Sequence, residues 1–158
     1  FETVHAILAA TGLPPTRLEL EITESLLLLD NEQTLQTLHR LRAIGIRISM
    51  DDFGTGYSSL SYLRAFPFDK IKIDRSFMRD LESRGDSLAI IKAVIGLGHS
   101  LGMSTTAEGV ETEEQLKAVR EQGCNEVQGF LFSRPLEVPQ VLTLLANEAK
   151  PIPLRRAG

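Results

Sequence analysis

The sequence predicts an α/β fold of βα units on a parallel sheet, and three observations carry that expectation. Short strand-like runs alternate with longer helix-like ones along most of the chain. Polar residues recur at the C-terminal ends of those runs, where ligands gather in such folds. The 158 residues are 42% hydrophobic and 24% charged, the balance of one globular domain with a substantial core.

The first element is a helix near residues 1–11, ended by Gly12 and Pro14. "RLELEIT" (17–23) follows as a strand. Residues 31–44 place Leu35, Leu38, Leu41 and Ile44 on one helical face, with Asp30 as N-cap and Gly45 as the stop. "IRISM" (46–50) and "DKIKID" (69–74) are the next strands. A helix over 87–101 carries Leu88, Ile91, Val94, Ile95 and Leu101, opened by Asp86 and closed by Gly102. "MSTTAE" (103–108) is a fourth strand, and Thr112 with Gln115 forms a capping box opening "TEEQLKAV". "NEVQG" (125–129) is the fifth strand, before a helix near 138–148. Residues 1–148 read as one domain and 149–158, rich in proline and arginine, as a disordered tail.

Five units leave two architectures open. A (β/α)₈ barrel needs eight strands and ~250 residues, so this chain would lack three N-terminal units. An open, doubly wound five-stranded sheet suits the length. The strands are amphipathic, unlike the continuous apolar runs of parallel strands buried on both faces. Leu18, Leu20 and Ile22 oppose Glu19, Glu21 and Thr23; Ile71 and Ile73 oppose Lys70, Lys72 and Asp74. One face therefore packs on helices and the other carries charge.

Successive strand ends deliver Glu21, the pair Asp51 and Asp52, Lys72, Glu108 with Glu111 beyond it, and Gln128 to one rim. Crowded carboxylates are tolerable around cations, and all-oxygen ligation selects hard ions such as Mg²⁺ or Mn²⁺. A metal pair is thus the expected partner of Asp51 and Asp52. Two such ions form the clamp used to cut phosphodiesters, with Lys72 stabilising developing charge or holding the attacking water. Taken singly, each residue has a plainer reading: Asp52 as a turn cap, Lys72 as a surface lysine, Glu108 and Glu111 as loop acids. All would have to hold together to empty the rim of meaning.

Other features exclude functions. A net charge of −4 leaves no basic footprint for polymeric nucleic acid. No apolar run reaches the ~20 residues of a membrane span, because Asp30 closes Leu26–Leu29. Cys124, the single cysteine, excludes an internal disulfide and reads as a small core residue in a reducing compartment. "DFG" at 52–54 lacks every other kinase motif, and Gly54 with Gly56 lacks the third glycine of a dinucleotide fingerprint. His5, His39 and His99 lie on helices and read as structural or exposed.

"ELEITES", "DDFGTGYSSL", "FDKIKID", "AEGVE" and "QGFLFSRPL", in this order and spacing, resemble the EAL-domain family of bacterial cyclic di-GMP phosphodiesterases. The resemblance implies a TIM-like (β/α) barrel of the EAL type, here lacking about three N-terminal βα units. It also implies two Mg²⁺ or Mn²⁺ ions and hydrolysis of cyclic di-GMP to linear pGpG. By position, Glu21 resembles a ligand of the first metal, Asp51 the bridging ligand and Asp52 a ligand of the second. Lys72 matches the lysine that contacts the attacking water, Glu108 the metal-reaching acid cast as general base, and Gln128 the amide that orients metal-bound water. Glu24 and Glu111 resemble the acids that steady the loop after the aspartate pair, and "GTGYSSL" the loop coupling a dimer interface to the site.

The Glu-Ala-Leu motif itself is absent from these residues, with the asparagine-bearing strand after it. The expectation is a piece of an active enzyme whose first metal site is weak in these residues alone, and whose open edge drives pairing or aggregation. The implied partners are cyclic di-GMP, a second copy of the chain, and fused sensory or GGDEF domains, without membrane insertion. The implied location is the cytoplasm, or the cytoplasmic part of a membrane-attached sensor. The rival readings are an inert cyclic di-GMP receptor and, at greater distance, a phosphoacceptor domain, whose acids and lysine sit on other strands.

Overall fold

The computed structural model describes residues 1–23, 26, 32–54, 63, 66, 68–81 and 85–148. Among them run α1 (Glu2–Thr11), β1 (Glu19–Thr23), α2 (Glu32–Ala43), β2 (Arg47–Phe53), β3 (Lys70–Ile73), α3 (Arg75–Arg79), α4 (Gly85–Ser100), β4 (Ser104–Glu108), α5 (Glu113–Glu121), β5 (Glu126–Gln128) and α6 (Val138–Glu148). All five expected strands and all five expected helices are present. Asp30, Glu24, the "TGYSSL" loop at 55–60 and the tail at 149–158 lie outside the described residues.

Of the boundaries that differ from expectation, two matter for the site. Strand β2 continues through Asp51, Asp52 and Phe53 instead of ending at Met50. Strand β3 stops at Ile73, and Asp74 caps the short helix α3, its carboxylate accepting from the Ser76 N–H at 3.0 Å. An aspartate whose carboxylate accepts from the backbone N–H two residues on satisfies an orphan helix donor better than it extends a strand. The Thr112 capping box forms as expected: the hydroxyl accepts from Gln115 N–H at 3.2 Å while Gln115 Oε1 accepts from Thr112 N–H at 3.2 Å.

The strand order is β1-β2-β3-β4-β5 and every neighbouring pair is parallel. Each crossover therefore advances one strand in the same direction, and crossovers of one hand put their helices on one face. A doubly wound sheet would reverse order at a switch point; this one does not. The apolar strand residues Ile48, Met50, Ile71, Ile73 and Ala107 pack with Leu38, Leu41, Ile91, Ile95, Leu116 and Val119 in the core. The opposite face curls inward. Five flat strands would put β1 and β5 about 19 Å apart, yet Lys70 on the central strand hydrogen-bonds both Glu19 on β1 (2.9 Å) and Glu126 on β5 (2.7 Å). The sheet is an arc of a barrel with charged side chains on its concave side.

Glycine matters at two strand ends. Gly109, directly after Glu108, sits at φ +69°, and a Cβ there would press into Arg75. Gly129, directly after Gln128, lies where any Cβ would collide with the Val110 backbone. The two segments are stitched there, Val110 N–H to Gln128 O and Leu131 N–H to Val110 O, both at 3.1 Å. His39 packs on the Phe66 ring and His5 stacks on Phe1, in line with their structural reading.

Candidate metal centre at the strand ends

Neighbouring residues of a regular strand point to opposite faces, so Asp51 and Asp52 should not serve one site. A β-bulge resolves this. Met50 pairs with Ile71 and Phe53 with Ile73, so β2 spends one more residue than β3 over the same length. The excess falls on the aspartates: Asp52 has φ +54°, the one non-glycine residue with positive φ among those described. Bulges re-aim side chains beside sites, and such backbone costs about 1–3 kcal/mol. The outcome is that carboxylate oxygens of Asp51, Asp52 and Glu108 all lie within 4.8 Å of one another.

Lys72 stands beneath them, its side chain only 7% exposed. Its Nζ is 2.8 Å from Glu21 Oε1, 3.0 Å from Asp51 Oδ1 and 2.7 Å from Glu108 Oε1. Burial works to lower its pKa, but the ion pairs with Glu108, Glu21 and Asp51 outweigh it and hold the ammonium well above the ordinary lysine value. Lys72 is thus the positive partner already in place for Asp51, which rim patterning alone had assigned to metal. One ammonium does not balance the three carboxylates it contacts. Asp51 Oδ1 is buried and, despite its 3.0 Å contact with Lys72, receives no hydrogen bond of good geometry. An under-satisfied buried oxygen in an all-oxygen, net-negative cluster is what a hard divalent cation fits.

Beside the cluster opens a cavity of about 390 Å³ walled by Asp52, Glu108, Glu111 and Gln128, together with Asp74, Arg75 and Phe130. Glu108 and Gln128 face each other in register across β4 and β5. The structure thus brings together Glu21, Asp51, Asp52, Lys72, Glu108, Glu111 and Gln128. Glu24 lies outside the described residues. Sequence reading missed Arg75 and Phe130 as cavity walls. It also missed a second charged layer one step down the arc, where Lys70 joins Glu19 and Glu126 and Arg47 approaches Glu19 at 3.6 Å. The period-2 pairing of Lys70 with Lys72 was the signal for it.

A singly wound parallel arc with acids, a buried lysine and an amide at its C-terminal rim defines part of a (β/α)-barrel with a polar strand-end site. The chain belongs to the EAL domain family, whose sequence profile residues 1–135 match. It is 49% identical over 135 residues to the Pseudomonas aeruginosa cyclic di-GMP phosphodiesterase NbdA, covering 85% of this chain and 17% of NbdA. It is 44% identical over 135 residues to the cyclic di-GMP phosphodiesterase RocR of the same organism, covering 85% of this chain and 34% of RocR. The crystal structure of the Mycobacterium smegmatis DcpA EAL domain superposes with a TM-score of 0.86 at 45% identity, covering 92% of this chain and 66% of that one. The P. aeruginosa MucR phosphodiesterase in complex with c-di-GMP superposes at 0.85 with 44% identity, covering 89% and 57%. The fold is therefore the TIM-like barrel of EAL domains. The chain spans 18% of the length of each of two further relatives, from Sinorhizobium fredii and Caulobacter vibrioides, at 53% identity.

Proposed function

We propose that this chain supplies the C-terminal part of a metal-dependent phosphodiesterase domain that hydrolyses cyclic di-GMP to linear pGpG. The observation that carries the reading is the convergence of Asp51, Asp52 and Glu108 over the buried Lys72. Glu21, Asp51, Asp52 and Glu108 would hold two Mg²⁺ or Mn²⁺ ions. Related Klebsiella pneumoniae BlrP1 structures contain manganese or calcium with the cyclic dinucleotide. When bound, the ions supply Lewis acidity toward the diester and toward water.

The chain's own groups do the remainder. Glu108 accepts the proton of the attacking water as its oxygen bonds to phosphorus and the bond to the 3′ oxygen breaks; the departing oxygen takes a proton from solvent. Lys72, kept protonated by its three carboxylates, donates to the attacking oxygen and to charge developing on the phosphoryl group. Gln128 orients the water from across β5, and Glu111 with Glu24 steadies the loop after the aspartates.

The same reading includes a second copy of the chain and fusion to sensory or GGDEF domains. MucR, 44% identical over 145 residues, is a bifunctional diguanylate cyclase/cyclic di-GMP phosphodiesterase, which supports the fusion. No helix among the described residues is long and apolar enough to cross a membrane, and the free thiol of Cys124 suits the reducing cytoplasm.

The test is Mn²⁺-dependent turnover of the full chain as its gene encodes it. Asp51→Asn should abolish pGpG formation, and retained activity would refute the assignment. Binding of cyclic di-GMP with no product over hours would instead establish an inert receptor.

A further inference from the structure

We infer that Lys72 is a built-in counter-cation that competes with incoming metal ions for their carboxylates and so sets how tightly the centre holds metal; this rests on the two-ion reading above. Its ammonium already contacts three of the four proposed ligands, at 2.8 Å from Glu21, 3.0 Å from Asp51 and 2.7 Å from Glu108. An ion that takes those oxygens meets a positive charge already on them.

Lys72 has no other partner to move to. Its side chain is 7% exposed, and all four residues of β3 are buried. One step down the strand, Glu19 and Glu126 already pair with Lys70 at 2.9 and 2.7 Å. Among the described residues no further carboxylate lies within ion-pair distance of Lys72. Its charge therefore stays in the centre when ions arrive. Asp51 Oδ1 marks the contested point: it is buried, Lys72 lies 3.0 Å away, and it still receives no hydrogen bond of good geometry. The ammonium offsets the charge of that oxygen and leaves its lone pairs to an ion.

Two effects of such a lysine oppose each other. As a tie, it gathers carboxylates from three strands before any ion arrives, which favours binding by lowering the ordering cost. As a charge, it repels a dication at short range in a poorly solvated place, which opposes binding. The backbone decides between them. Glu21 is held opposite Ser49 and Glu108 opposite Gln128 by the parallel ladders, and Asp51 is aimed by the surplus residue on β2. These carboxylates converge through strand register with or without the ammonium, so the tie adds little and the repulsion prevails.

The experiment measures Mn²⁺ binding to the full chain by calorimetry, with no substrate present, for the parent and for Lys72→Met, Lys72→Gln, Lys72→Arg and Lys70→Met. The two neutral replacements of Lys72, one apolar and one polar, guard against a variant that fails to fold. Both should bind Mn²⁺ about 5- to 100-fold more tightly than the parent, even though turnover falls. Lys72→Arg, which keeps the charge, should stay near the parent, and Lys70→Met, one layer below, should gain less than Lys72→Met. Unchanged or weaker binding in the neutral variants overturns the inference, since the lysine would then act mainly as a tie, and leaves the two-ion reading standing. An equal gain in Lys72→Arg overturns it as well, because charge would not be the cause. A parent that binds no Mn²⁺ removes both readings at once.

Discussion

Lys70 and Lys72 lie two residues apart on the same strand, face the same concave surface and are both nearly buried, yet they sit in opposite electrostatic situations. Lys70 pairs with Glu19 and Glu126, and Arg47 approaches Glu19 from the other side, so charges there balance. Lys72 faces Glu21, Asp51 and Glu108, three carboxylates against one ammonium. The lower layer's charges are matched within the protein, although Glu19 Oε2, like Asp51 Oδ1 above it, is buried without a hydrogen bond of good geometry. The upper layer presents a carboxylate cluster that a hard divalent cation would fit, and its backbone is left-handed at Asp52. A buried lysine among acids is thus a structural tie or a working group according to the local charge balance, whatever its burial.

Lys72→Met offers the strongest way to break this comparison. Turnover should fall by about 10²- to 10³-fold through the loss of a charge-stabilising donor. The metal-free protein should also melt lower, with Mn²⁺ restoring much of the loss, as thermal unfolding with and without the ion would show. Lys70→Met is the counterpart. It should cost about 2–4 kcal/mol of stability by leaving Glu19 and Glu126 uncompensated, the lower end reflecting the half-exposed Glu126. Turnover per folded molecule should stay at the parent level; equal losses from both lysines would erase the distinction.

Metal itself separates the layers next. Mn²⁺ at ~100 times its dissociation constant should stabilise the parent by about 2.7 kcal/mol, seen as a raised melting temperature. Asp51→Asn should lose most of that gain, whereas Glu126→Gln should retain it.

The pH response sharpens the lower layer. Its bond to Lys70 holds the Glu126 carboxyl below the ordinary 4.5. Its contribution is therefore present above pH 4.5 and is lost as pH falls toward the depressed folded-state value. Lys70 titrates above its ordinary 10.5, because its bonds to Glu126 and Glu19 outweigh burial. Its share is present below pH 10.5 and fades only as pH rises through the elevated folded-state value. Glu126→Gln should flatten the acid limb of a stability-versus-pH curve, and an unchanged limb would contradict the pairing. The smallest effect concerns strain: Asp52→Gly relieves the left-handed backbone but also removes the carboxylate's own contacts, so the metal-free fold should stay within about 1 kcal/mol of the parent. It should nevertheless lose turnover.

Much of the molecule was legible in the sequence. The βα alternation, the Thr112 and Gln115 capping box and the inward row Glu21, Lys72, Glu108 and Gln128 all follow from periodicity and residue type, while the family was legible only by resemblance. Those are local properties, set by side-chain direction along one strand or one helical turn. Helix α3 was missed because Asp74 continues an alternating strand pattern and reveals itself as a cap only once its carboxylate meets the Ser76 N–H. The Lys70 layer went unassigned because its partners lie on strands far away in sequence.

By itself, the sequence determined which residues face inward and which chemistry they bring, because a period of two cannot be satisfied in two ways. Only the tertiary structure decided that the strands follow one another in order into an arc and that one surplus residue on β2 turns two adjacent aspartates toward a single centre. Strand order and register are settled by hydrogen bonds between segments distant in the chain, and no local pattern encodes them. The same closure set the different surroundings of Lys72 and Lys70, since each lysine meets carboxylates from other strands.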